Sequence, residues 1–246
     1  MKLVRDTTGR FSERPHYEAA ELDRECEKII CGFLKSRHGV AEFPVSTDDL
    51  ASLIEEEAED LDLYADLSAF GPNVEGVTIF VPGGKPKVKI SSALSEDPSR
   101  ENRLRTTLTH EYGHVHFHSY LFDSPPKSVD LFAASRAAYT APSTGLTQVC
   151  KRDTILEAQS YDWMEWQAGH VCGAILMPAS RVRRLARERL GESLTNAALG
   201  IASIQGASLI DAAQVAFQVS RDAARVRLLR LGIVTEASTT QSRLQF

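Results

Sequence analysis

His110, Glu111 and His114 form the pattern His-Glu-x-x-His within a stretch of helical periodicity. On a helix, residues four apart project from adjacent turns of one face, so the two imidazoles can grip one Zn2+ ion. Glu111, between them, can then take the proton of a metal-bound water, which completes two ligands and the base of a zinc hydrolase, most often a peptidase. Average residue usage makes this pattern expected in about one chain in a hundred of this length or fewer, so coincidence is the weaker explanation. Leu104, Leu108, Tyr112 and Val115 recur at spacings of four, four and three and make an apolar stripe. His110 lies about 200° beyond Leu108, which puts the metal face roughly opposite the packed face. The competing reading is two surface histidines beside a glutamate on a solvated helix.

Zinc needs a third protein ligand, with a fourth position left for water. The candidates are His116, His118, Asp130, Asp162, Glu165 and His170. His118 continues the four-residue spacing, but eight helical residues rise about 12 Å, too far from His110 for both to bind one ion at about 2 Å. His116 points away from the metal face. The ligand is therefore expected from another helix, and the best one covers residues 162–178, with Met164, Ala168, Val171, Cys172 and Ile175 as its buried stripe and Pro178 at its end. Asp162-x-x-Glu165 is also the spacing of a helix-capping pair. Spacing alone leaves Glu165 open between ligand and cap.

The elements that must position these residues are legible in outline. Residues 17–37 carry Leu22, Cys26, Ile29, Ile30, Phe33 and Leu34 at helical spacing, with Gly39 as a stop. A second helix follows Pro44, capped by Ser46 or Thr47, with Leu50, Leu53 and Ile54 inward and the acidic run 55–62 on its solvated side. Residues 77–81 and 87–90, joined by Pro82-Gly83-Gly84, predict a small hairpin or three-stranded sheet just before the metal helix, suited to holding an extended substrate. Residues 119–153 contain a predicted short helix at 129–139 and read as a lid, a substrate loop or plain disorder.

Composition excludes some classes. The 246 residues are 43% hydrophobic, enough for a sizeable core, and the longest apolar run is far too short to cross a bilayer. The charged first residues lack a signal-peptide core, so a soluble cytoplasmic protein without membrane partners is expected. Cys26, Cys31, Cys150 and Cys172 show no CxxC spacing and read as buried thiols rather than a disulfide framework or, with His38, a second metal site. Net charge is −5 overall, but residues 181–246 carry 10 Lys and Arg against 5 Asp and Glu. Such a basic end marks either a solvated helix face or a partner surface.

The order of these pieces resembles the ImmA/IrrE family of zinc metallopeptidases. The matching residues are Pro44-Val45, the block RLRTTLTHEYGHVHFH at 103–118, and Glu165-Trp166-Gln167-Ala168 through Leu176-Met177-Pro178, within a span of about 17–233. Gly169 departs from the family's usual Asn. The resemblance implies that His110, His114 and Glu165 are zinc ligands and that Glu111 is the general base. It further places His118 near substrate, and His118 and His170 are candidates for substrate or transition-state contact. It also implies that the substrate is a protein, often a helix-turn-helix transcriptional repressor whose cleavage works a stress-response or mobile-element switch.

At the C-terminal end, Ser220 suits an N-cap and Gly232 a helix stop. This Arg-bearing pair of helices resembles half of a helix-turn-helix, which supplies the alternative function: a non-proteolytic regulatory or toxin-antitoxin module that contacts DNA or protein. The expected architecture is α+β, a zincin-like metallopeptidase domain, mainly helical with a small sheet beside the HExxH helix. The expected divisions are a flexible arm (1–16), the metallopeptidase domain (17–178), a C-terminal helical subdomain (179–235) and a flexible tail (236–246).

Overall fold

Two periodicities, 3.6 along the helices and 2 along the strands, divide the chain into a mixed α and β fold. A computed structural model describes residues 1–123, 147–151, 162–191 and 198–236. Helix α1 (Ala19–His38) buries Leu22, Cys26, Ile30, Phe33 and Leu34, the expected stripe less Ile29, which is partly buried. Gly39 ends it at φ +79°, a left-handed position that glycine adopts without steric cost. Helix α2 (Thr47–Glu55) is capped by Ser46, whose side chain accepts from the Asp49 N–H, and it buries Leu50, Leu53 and Ile54.

The sheet is larger than the hairpin or three strands expected. Strands β3 (Asp60–Ala65), β4 (Val74–Ile79), β5 (Lys87–Ser91) and β6 (Thr147–Lys151) lie in the order β3-β5-β4-β6, with β3 parallel to β5 and the other pairs antiparallel. The acidic run 55–62 is not the solvated side of one helix. It leaves α2 at Glu55 and turns into β3, where Asp60 pairs with Lys87 and Asp62 with Lys89 in register. Cross-strand pairing of opposite charges tolerates the acids there.

Residues 1–16 are also not an arm. Strands β1 (Lys2–Arg5) and β2 (Glu13–His16) form an antiparallel hairpin. Asp6 holds its turn by accepting from the N–H groups of Thr8 and Phe11. Phe11 packs edge-on against Phe122 and Trp163. Much of the 119–153 segment, including the predicted helix at 129–139, lies outside the described residues, as do residues 237–246 of the tail.

Helix α3 (Ser92–Ser95) leads to α4 (Glu101–His118), and α5 (Trp163–Leu176), α6 (Ala179–Leu190), α7 (Ile204–Phe217) and α8 (Arg221–Arg230) complete the helical layer. Short strands β7 (Leu199–Gly200) and β8 (Val234–Thr235) pair in parallel. One apolar cluster joins Leu22 of α1, Leu108 of α4, Ile175 of α5, Leu209 of α7 and Leu228 of α8, so the expected division at 178/179 falls inside a shared core. No helix among the described residues is long and apolar enough to cross a membrane.

A buried charged cluster locks three of these helices. Asp23 of α1 accepts from Arg227 of α8 at 2.6 Å and lies 3.0 Å from His170 Nε2 of α5, while Arg227 also donates to the Met177 carbonyl at 2.9 Å. Burial pushes the Asp23 pKa up, but the His170 hydrogen bond and the Arg227 charge outweigh it and hold the carboxyl down at about 2. Its folded pKa thus lies below the ordinary value near 4, so its contribution is complete above about pH 4 and is lost as pH falls through about 2. Urea unfolding followed from pH 5 to pH 2 is expected to show this loss, and Asp23→Asn should flatten the dependence while lowering stability at pH 7 by about 3 kcal/mol. An unchanged pH profile in that variant would show that the cluster does not carry the effect.

Candidate metal centre

The centre is made where α4 crosses α5. Gly113 permits the crossing: a Cβ there would stand 2.9 Å from Ala168 Cα and 3.3 Å from the Cβ atoms of Ala168 and Val171. The two backbones meet with almost nothing between them. Glu165, on the first turn of α5, is thereby brought over the imidazoles of α4.

Three ligand-bearing side chains converge at that point. His110 Nε2 lies 3.1 Å from Glu165 Oε2, His114 Nε2 lies 3.2 Å from Glu165 Oε1, and the two Nε2 atoms are 3.2 Å apart. Such a set of lone pairs repels unless a cation or proton lies among it, and His110, His114 and Glu165 could hold a metal ion. Among the described residues they are the group of three His, Cys, Asp or Glu side chains arranged to do so. Burial pushes the His110 pKa down, but the Glu165 charge more than reverses this and leaves it raised. Glu165 behaves in the opposite sense: burial pushes it up, and His114 and His110 bring it well below the usual carboxylate range.

Both readings of Glu165 have a place. The Asp162 side chain accepts from the Glu165 N–H at 3.3 Å and caps α5, so the spacing of a helix cap is real. The Glu165 carboxylate, however, faces the two histidines. The expectation that the metal face lies opposite a packed face needs correction, because α4 is enclosed on both sides: His110, Glu111 and His114 are buried along with Leu108 and Tyr112. Full enclosure also removes the reading of two surface histidines.

The sheet supplies the support for Glu111. Thr78 of β4 donates to Glu111 Oε2 at 2.6 Å, and Gly76, two residues earlier on the same face, leaves room for the carboxylate, since a Cβ there would stand 2.4 Å from Oε1. Burial raises the Glu111 pKa, against the pull of the histidines and the Thr78 hydrogen bond. Oε1 of Glu111 and Nδ1 of His110 are buried with no hydrogen-bond partner among the described residues. The centre therefore holds an oriented carboxylate with one oxygen fixed and one unengaged beside the three-residue triangle.

The remaining histidines fall elsewhere. His116 meets Glu57 at 2.8 Å, away from the triangle as expected. His118 is fully buried behind His114, with Nδ1 3.1 Å from His114 Nδ1 and Nε2 3.0 Å from Gln167 Oε1. It faces the outer nitrogen of His114 rather than an open surface, and burial holds its pKa well below normal. His170 lies in the Asp23 and Arg227 cluster: five residues on from Glu165, it has rotated about 140° away from the triangle. Asp130 lies outside the described residues. Cys26, Cys31 and Cys172 are free thiols, and His38 binds Asp49 at 2.8 Å.

Sequence reasoning missed Gly113, Gly76, Thr78 and Gln167. Gly113 alone carried a signal, a glycine inside a periodic helix, which marks close packing more often than chance. No protein-family model matches the chain, and no curated protein matches it either.

A Gly113→Ala substitution tests the crossing. In an ordinary helix interior the change stabilises by up to about 1 kcal/mol, whereas overpacking against Ala168 is expected to destabilise by about 1–3 kcal/mol. Thermal melting and metal uptake should both fall. Raised stability with full metal binding would show that the close approach is not needed.

Proposed function

We propose that this chain is a zinc metallopeptidase with a zincin-like catalytic domain, of the ImmA/IrrE type. The observation that carries the reading is the meeting of Glu165 with both Nε2 atoms of His110 and His114, next to a Glu111 held by Thr78. Two imidazoles and one carboxylate are the donor set of catalytic zinc sites, which keep three protein ligands. Ligands about 2.05 Å from a tetrahedral ion stand about 3.3 Å apart. The edges of 3.1–3.2 Å fit an ion of that size.

A zinc ion held by His110, His114 and Glu165 would supply Lewis acidity, able to polarise a carbonyl and to make water a nucleophile near neutral pH. Glu111 takes the proton of the attacking water on Oε1 and returns it to the leaving amine. Its burial strengthens it as a base, while the Thr78 hydroxyl engages Oε2 and keeps the carboxylate from rotating away. Strand β4 has neighbours on both sides, so an extended peptide would add at an outer strand of the sheet. By the resemblance, the substrate is a protein of the helix-turn-helix repressor class.

The alternative, a binding module that uses the basic C-terminal helices, has less to draw on. Arg227 donates into the core to Asp23 and Met177, and Arg230 to the Gly169 carbonyl at 2.9 Å. Arg221 is paired with Asp211, and Arg225 with Asp222. Arg183, Arg184, Arg187 and Arg189 of α6 are exposed, so a basic face remains there, but nothing in the structure pairs it with a binding partner.

Glu111→Gln separates the two readings. Co-expressed with a helix-turn-helix repressor that the wild-type chain cleaves, the variant is expected to bind zinc at full stoichiometry and to cut at least about a hundredfold more slowly. Cleavage at the wild-type rate would end the peptidase reading.

A further inference from the structure

His118 and Gln167 have no part in the chemistry just described, yet both are buried and both are hydrogen-bonded toward the ligand His114. The donors and acceptors along this line can be assigned from its far end. The Pro15 carbonyl, on β2 of the N-terminal hairpin, can only accept, so Gln167 presents its amide nitrogen to it at 2.9 Å. That leaves Gln167 Oε1 as the acceptor facing His118 Nε2 at 3.0 Å, and this nitrogen must carry a proton. A neutral imidazole has one donor and one acceptor, so His118 Nδ1 is the acceptor and His114 Nδ1, 3.1 Å away, is the donor. His114 Nε2 is then left with its lone pair toward His110 and Glu165.

We propose that the N-terminal hairpin is a working part of the metal centre: the Pro15 carbonyl, through Gln167 and His118, holds His114 with Nδ1 protonated and Nε2 ready for a metal ion. The proposal rests on the metal-centre reading and extends it to residues outside the His-Glu-x-x-His pattern. Gln167 and His118 are positioning residues. Outer-sphere partners of this kind set the tautomer and ring orientation of a ligating histidine.

Other contacts hold the hairpin where the relay needs it. Phe11 stacks edge-on against Phe122 and Trp163, and Trp163 meets the His118 ring edge-on at 5.5 Å between centroids. Arg10 donates to Met164 Sδ at 3.3 Å and lies within electrostatic reach of Asp162 and Glu165. The hairpin is thus pinned to the same turn of α5 that carries the third candidate ligand. His110 has no comparable support, since its Nδ1 finds no partner among the described residues.

Gln167→Leu removes both hydrogen bonds at similar volume, and Gln167→Glu keeps an acceptor for His118. Zinc affinity, measured by competition with a chelator, is expected to fall about ten- to a hundredfold in the leucine variant and to recover in large part in the glutamate variant. Phe11→Ala, which loosens the hairpin without touching the relay, should lower affinity in the same direction. A purely structural role for Gln167 would lower the melting temperature and leave zinc affinity within twofold of wild type, and that result would overturn the proposal.

Nitrogen-15 NMR of the histidines in the wild-type, metal-free protein decides the matter without any variant. His114 should show a protonated Nδ1, and a bare Nδ1 would refute the relay. A wild-type chain that takes up no zinc refutes the metal centre, while the metal-free spectrum still decides the relay.

Discussion

The close crossing of α4 and α5 at Gly113 and Ala168 is the constraint on which the rest of the molecule depends. Glu165 and the two histidines sit on different helices, and a carboxylate side chain is short. Only a backbone separation too small for a Cβ at position 113 lets Oε1 and Oε2 reach both Nε2 atoms. The sheet is set by the same need, because β4 must pass α4 closely enough for Gly76 and Thr78 to flank Glu111.

Enclosing α4 on both faces has an electrostatic cost that the fold must offset. Arg105, His110, Glu111, His114 and His118 are all fully or almost fully buried on this one helix. Each buried polar group needs a partner, since burial without one costs on the order of 1–3 kcal/mol. Arg105 donates to the carbonyls of Val45 and Phe217, tying α4 to the chain before α2 and to the end of α7. His118 is held by Gln167 and Glu111 by Thr78. Four buried polar atoms of this helix find no partner among the described residues, and two of them, Glu111 Oε1 and His110 Nδ1, belong to the centre while Arg105 Nε and Thr107 Oγ1 do not.

How far this was legible in the sequence follows from the range of each signal. His110 and His114 were readable because helical spacing alone places them together, and the caps at Ser46 and Ser220 because a cap is a local hydrogen bond. Glu165 stood undecided on spacing, since cap and ligand ask for the same residue at the same place; its side-chain direction depends on how two helices cross. The strand β3 was hidden in an acidic run whose charges are balanced by lysines 27 residues later. The N-terminal hairpin looked like an arm because its strands are short and charged, and its anchors Phe122, Trp163 and Gln167 lie more than a hundred residues away. His170 is close to Glu165 in sequence, but five residues of helical rotation carry its side chain toward Asp23 instead.

The account stands or falls on what His110, His114 and Glu165 hold. X-ray absorption at the zinc edge, on the wild-type protein loaded with one equivalent of zinc, measures this directly. The expected spectrum has only nitrogen and oxygen neighbours at about 2.0–2.1 Å, with the outer scattering of two imidazoles. Sulfur at about 2.3 Å would place the metal on the cysteines, and a single imidazole would break the triangle. Either result would contradict the central claim.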